Sequence, residues 1–291
     1  KLQYLCGVLI NSYTMIQIDK LGFSYGKIPV LKNITMTLQP GKIYGLLGEN
    51  GVGKTTLLTL LCGLKKTSDG SIRVDGIDPY KRDPDLLADQ YYLADDVLPI
   101  PEKASSFAKT TGSFWPNYNH DKFLEIMALF ENDPGKKMNA MSTGQLKKTY
   151  ISFALALGCR HLYLDEPTNG LDIPSKAQFR SALMKYTSED STIVISTHQV
   201  RDLENIIDPI IILDRQDVLL NADIETISHK LYFDYGTELH PESLYSEQLP
   251  GGFIQVYPNS AGAESKVNIE ALFNAVHKHK DLIKGLFSTN E

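Results

Sequence analysis

Three groups of residues in this chain have types and spacing suited to work on phosphate. GENGVGKTT (48–56) fits the pattern GxxxxGK[ST], with Gly48, Gly53, Lys54 and Thr55 at the fixed positions. Glycines let successive backbone N–H groups curl around an anion without side-chain obstruction. The N-terminus of a following helix brings about half a positive charge to the same anion. Asn50, Gly51, Gly53, Lys54, Thr55 and Thr56 are therefore the expected phosphate-binding set, Lys54 reaching the β- and γ-phosphates and the Thr55 hydroxyl ligating Mg2+. HLYLDE (161–166) ends an apolar run in two acids. Neighbours at a strand end point in different directions, so Asp165 is expected to hold Mg2+, directly or through water. Glu166 is then free to poise a water for in-line attack on the γ-phosphate. STIVISTHQ (191–199) brings His198 out of another apolar run, in position for a γ-phosphate contact. The other six histidines, His277 and His279 among them, have no such context and read as solvated.

These groups need a scaffold that delivers them to one edge. IYGLL (43–47) is an almost continuous apolar run that opens through the glycines into TTLLTLLCGL, giving strand, loop and helix in that order. HLYLDE and STIVIST are apolar throughout and separated by the helix-like SKAQFRSALMKYTS. Such runs are buried on both faces, as in a parallel sheet covered by helices. Alternation through Ile16, Ile18, Leu21 and Phe23 predicts a half-buried edge strand, Ile34, Met36 and Leu38 a second, and SIRVDG (71–76) a third ending in a turn. From about 84 to 160 the pattern is mostly helical. Beyond PIIILD (209–214) its character changes. LYFDY and FIQVY read as short strands, and Ile269, Leu272, Phe273, Val276, Ile283 and Leu286 form one helical stripe.

Composition narrows the partners. At 291 residues, 42% hydrophobic and 22% charged, the chain is ordinary for a globular protein. A net charge of -6 gives no electrostatic footprint for nucleic acid, so none is expected. Three widely spaced cysteines, Cys6, Cys62 and Cys159, suit reduced thiols better than disulfides or a zinc site. No apolar run approaches the ~20 residues that cross a bilayer. Residues 1–14 lack a signal peptide's basic region and cleavage site, and Met15 opens an orderly strand pattern. They are expected to be a leader, the alternative being a genuine N-terminal strand.

Together these residues resemble the nucleotide-binding subunit of ABC transporters over roughly 16–215. The deciding motif is MSTGQ (141–145), similar to the family signature LSGGQ, followed by LKKTYISFALAL and LDEPTNGLD (164–172). The resemblance implies an α/β phosphate-loop NTPase of ABC type: a mixed sheet core with an antiparallel β subdomain and a helical subdomain at about 96–150, within an ATPase domain at 15–221. Residues 222–291 would then be a small C-terminal α/β appendage. It implies that Ser142, Gly144 and Gln145 contact the ATP held by an opposite subunit, that Asp172 sits at the subunit interface and helps position the attacking water, and that Tyr25 stacks on adenine, with Phe23 facing the core. It implies an ATP-driven motor subunit, working with Mg2+ as a nucleotide-sandwiched homodimer or paired ATPase on a separate membrane permease. The location would be cytoplasmic, peripheral on the inner face of the membrane.

The chain departs from the family at two places. Met141 and Thr143 alter the signature mildly. In QYYLADD (90–96) the family's glutamine aligns with Asp95, Gln90 lying too early; Asp95 is either a shortened Mg2+ or water ligand or part of a solvated turn. FWPNYNHDKFLEIMALFEND and IEALFNAV resemble the bacterial branch whose permeases often export drugs, antibiotics or lipids. A nucleic-acid-handling ATPase of this fold is the alternative. It fits poorly with one phosphate loop, no heptad run and an acidic balance.

Overall fold

The computed structural model describes residues 15–287, so the expected leader at 1–14 lies outside them. In chain order the strands and helices are β1 (Ile16–Tyr25), β2 (Ile28–Leu38), β3 (Ile43–Leu47), α1 (Lys54–Leu61), β4 (Asp69–Val74), α2 (Pro84–Leu87), β5 (Gln90–Leu93), α3 (Ala104–Gly112), α4 (His120–Leu129) and α5 (Thr143–Ala156). They continue as β6 (His161–Asp165), α6 (Ile173–Tyr186), β7 (Thr192–Thr197), β8 (Ile210–Asp214), β9 (Asp217–Ala222), α7 (Ile224–Lys230), β10 (Leu231–Gly236), β11 (Tyr245–Leu249), β12 (Gly252–Pro258), α8 (Ile269–Lys278) and α9 (Lys280–Phe287).

The apolar runs pair as their burial on both faces requires. They form a sheet ordered β5-β6-β7-β3-β8-β9. The first five strands run parallel and β9 pairs antiparallel with β8. All five residues of β6 and all six of β7 are buried. A second sheet, β2-β1-β4, is antiparallel. The α/β reading with a mixed sheet, an antiparallel β layer and helices therefore holds. β1 differs from expectation in being the centre of its sheet; its alternation reflects one solvated face, which a central antiparallel strand also has.

Two cores flank the main sheet. One packs Ile16, Ile34, Leu57, Leu61, Tyr163 and Val194 between β1-β2-β4, α1 and the sheet. The other joins helices α3–α6 to the opposite face through Phe123, Met127, Phe153 and Phe179, and continues into Leu231, Val256, Leu272 and Ile283 of the C-terminal segment. That segment holds a third sheet, β10-β12-β11. β11 escaped the sequence pattern because four of its five residues are exposed and leave no apolar alternation. The single stripe expected at 269–286 is two helices, broken where His279 takes φ -129, ψ 53. Val276 and Ile283 are seven residues apart, a spacing that continuous and interrupted helices share.

Candidate nucleotide site

The parallel strands β3, β6 and β7 end side by side, Leu46 opposite Ser196 and Asp165 opposite Ser196 from the other side. Everything that leaves their carboxyl ends converges, and open α/β sheets bind ligands there. After β3 the chain turns at Gly48, where a Cβ would lie 2.6 Å from the Leu213 carbonyl oxygen, so only glycine fits. Gly53 caps α1 at φ 112, a conformation side chains resist. α1 follows with Lys54, Thr56 and every residue to Leu61 buried.

Lys54 folds back over its own loop. Its ammonium donates to the carbonyls of Gly48 (2.8 Å) and Glu49 (3.1 Å) and lies 3.7 Å from Glu166 Oε1. Burial lowers its pKa, while the Glu166 and Asp165 carboxylates push it back up and so favour the cation. Asp165 accepts three hydroxyls: Thr55 (2.7 Å), Tyr92 (3.1 Å) and Ser196 (2.5 Å). Burial, then the facing Asp165 carboxylate, raises the Tyr92 pKa and keeps that phenol a donor. Glu166 is buried and left-handed at φ 45, a conformation that costs a non-glycine residue about 1–3 kcal/mol. Its amide donates to Ser196 Oγ (3.0 Å). Its Oε2 meets His198 Nδ1 at 2.9 Å and accepts from the His198 amide at 3.3 Å. Lysine, acid pair, threonine hydroxyl and histidine thus form one connected cluster at the strand ends.

The donor set fits Mg2+. Thr55 and Asp165 are hard oxygen ligands within hydrogen-bond distance of each other, and this ion typically uses one or two carboxylates beside substrate phosphates. Among the described residues no group of three or more His, Cys, Asp or Glu could hold a metal by itself.

The remaining expected site residues lie around this cluster. Tyr25 is half-exposed, edge-on to the partly buried Phe23 at 4.9 Å, with its hydroxyl 3.3 Å from Thr56 Oγ1 and Lys65 Nζ 5.0 Å from its ring centre. Ser142 caps α5: its hydroxyl accepts from the Gln145 amide, and Gln145 Oε1 accepts from the Ser142 amide and from Lys136. Asp172 caps α6 through the Ser175 amide, and hydrogen bonding from the Ser175 side chain, then from that amide, lowers its pKa. A Cβ on Gly144 would lie 3.4 Å from the Gly170 carbonyl oxygen, so the signature packs against the turn before Asp172. Asp95 does not join the Thr55–Asp165 pair. Its carboxylate accepts from Lys147 (3.0 Å) and Asn169 (3.2 Å to both oxygens), and its carbonyl from Lys147 as well (2.6 Å). The side chain that β5 sends to Asp165 is Tyr92.

Sequence reasoning passed over Tyr92, Ser196, Lys147 and Asn169. Ser196 had a signal: a small polar residue inside the apolar STIVIST, buried where only a partner justifies it. Lys147 and Asn169 had none, since their roles depend on which segments meet.

A parallel sheet that brings a glycine loop, an acid pair and a histidine to one edge defines a phosphate-loop nucleotide hydrolase. The profile of the ABC transporter family matches residues 31–169. Bacitracin transport ATP-binding protein BcrA of Enterococcus faecalis is 30% identical over 233 residues, covering 77% of this chain and 73% of that protein. Lantibiotic transport ATP-binding protein SrtF of Streptococcus pyogenes is 29% identical over 215 residues, covering 72% and 92%. A solved ATP-binding subunit of an ABC transporter superposes with a TM-score of 0.66 at 20% identity, covering 74% and 92%. The chain belongs to the ABC transporter ATP-binding proteins. It is an ATP-binding and ATP-hydrolysing motor subunit of a kind that dimerises and pairs with membrane permeases. Among the described residues no helix is long and apolar enough to cross a membrane.

Proposed function

We propose that this chain drives an export permease as an ATP-sandwiched dimer, residues 15–221 forming the ATPase and 222–291 an accessory domain. Export rests on the bacitracin and lantibiotic transport proteins among its relatives. The working position is the cytoplasmic face of the membrane, held there by the permease. Thr55 and Asp165 hold Mg2+, which when bound neutralises developing phosphate charge. Lys54 binds the β- and γ-phosphates, Asn50, Gly51, Gly53 and Thr56 supply the loop around them, and Tyr25 offers its exposed face to adenine. Glu166 orients and deprotonates the attacking water, with His198 completing the γ-phosphate contacts. Ser142, Gly144 and Gln145 serve the ATP of the opposite subunit, and Asp172 lies at the interface.

The observation that carries this reading is the convergence of Lys54, Glu166 and His198 beside the Thr55–Asp165 pair. Glu166→Gln keeps reach and hydrogen bonding but removes the base, whose assistance is typically worth ~10²–10⁴ in rate. The variant is expected to retain ATP, lose most turnover and dimerise with ATP, as read by light scattering. Wild-type turnover, or a monomer at saturating ATP even with the permease added, overturns the reading.

A further inference from the structure

The histidine reaches the site from a loop that other elements hold. After β7 the chain makes a 3-10 turn at Val200–Asp202. Gln199 precedes it, its amide nitrogen donating to Thr197 Oγ1 at 2.9 Å. Lys176, on the second turn of α6, donates to Gln199 Oε1 (2.9 Å) and pairs with Asp202 Oδ2 (2.6 Å). Both side chains of that ion pair are largely buried, at 18% and 16% exposure. Arg180, one turn further along α6, donates to the Asp202 carbonyl at 2.9 Å. The loop's ion pair with the C-terminal segment, Arg201 with Glu270 of α8, is exposed on both sides at 82% and 46%. Water screens an exposed pair, so among the loop's polar contacts α6 provides the firmer hold.

The Lys176 contact has a chemical consequence. An ammonium only donates, so it fixes the oxygen of the Gln199 amide toward itself and turns the NH2 toward His198, whose Nε2 lies 3.4 Å from Gln199 Nε2. An NH2 group only donates, so His198 Nε2 must accept and the ring proton of the neutral imidazole is on Nδ1. That proton is donated to Glu166 Oε2 at 2.9 Å. Donation therefore runs from Lys176 to Gln199 to His198, with Glu166 accepting at the end, each group in one orientation. Glu49, Arg201, Asp202 and Glu270 face the same 590 Å³ cavity beside the histidine.

We propose that Lys176 and Gln199 are positioning residues: they fix the orientation of His198 in the tautomer that Glu166 requires and tie its loop to the helix that Asp172 begins. This rests on the reading of His198 as a γ-phosphate contact, and the test separates the two. Imidazole nitrogen and carbon NMR shifts of His198 at pH 8, without nucleotide, are expected to report the Nδ1–H form in wild type and in Lys176→Arg. In Gln199→Leu and Lys176→Met the Glu166 carboxylate still holds the Nδ1–H form, and release of Nε2 from the Gln199 amide is expected to move the Nε2 shift and broaden the ring signals. In steady-state assays both disruptive variants should lower kcat about tenfold or more with KM changed less than about twofold, as misplacing a catalytic group does. Lys176→Arg should recover most of the loss. An Nε2–H ring in wild type, or an Nε2 shift and ring line widths unchanged in both disruptive variants, overturns the proposal. His198→Ala tests the underlying reading: full turnover there removes His198 from catalysis, while the ring shifts still decide whether Lys176 and Gln199 orient it.

Discussion

At the residue scale, Lys54 combines roles usually kept apart. It is the loop's flexible cation, and it also satisfies two carbonyls and faces the buried Glu166. Lys54→Ala therefore removes the phosphate contact and leaves Glu166 without its cation. Turnover should fall by at least ~10²-fold, the usual cost of losing one preorganised donor, and Mg-ATP binding should weaken. Circular dichroism should remain that of a folded protein. Wild-type hydrolysis by this variant would remove the loop from the active site. The left-handed Glu166 shows a different compromise. Strain there is held by the hydrogen bond from its amide to Ser196 and by His198, and the Glu166 carboxylate meets Lys54 and His198 while its sequence neighbour Asp165 accepts from Thr55, Tyr92 and Ser196.

At the scale of elements, the sequence was most informative where burial is complete. IYGLL, HLYLDE and STIVIST form adjacent strands because their residues have no solvated face to interrupt the pattern. The motif residues between them were readable for the same reason, since a strand followed by a glycine loop or an acid pair fixes where the side chains emerge. β11 and the break at His279 were not readable: one has no apolar face, and the other falls where two periods coincide. The partners of Asp95 were hidden because they join β5, α5 and the turn after β6, three segments far apart in the chain. Lys147 is almost fully buried on α5 and has Asp95 as its counter-charge. Asp95→Ala leaves the ammonium its bond to the Asp95 carbonyl but no carboxylate. Destabilisation of about 1–3 kcal/mol is expected in urea unfolding. Lys147→Met, which buries no unpaired charge, should cost less. Equal stability of Asp95→Ala and wild type would return Asp95 to a solvated turn.

At the scale of the whole molecule, the C-terminal segment shares a continuous core with the ATPase, and its described residues contribute none of the nucleotide cluster's hydrogen bonds. Lys280 with Asp214 and Lys284 with Asp217 add charged contacts across the same boundary. A chain ending at Asp223 should still bind ATP. It should also melt well below the full chain, because uncovering even two aliphatic side chains forfeits ~3–6 kcal/mol, roughly 6–24 °C at this size. Equilibrium binding of a fluorescent ATP analogue and a thermal melt on the same sample check both halves. Loss of binding in a folded truncation would mean that the segment builds part of the site.

The Lys147–Asp95–Asn169 tie also bears on how this chain can change over generations. A glutamine at position 95 would restore the family's usual residue but remove the counter-charge of a buried ammonium, and an uncharged residue at 147 would leave the partly exposed Asp95 to Asn169 and solvent. The step at 95 taken alone carries the larger stability cost, which a change at 147 made with it avoids. A single-site mutational scan would therefore score position 95 as intolerant for reasons of folding and conceal whatever catalytic latitude it has. Only a library that varies 95 and 147 jointly would expose that epistasis.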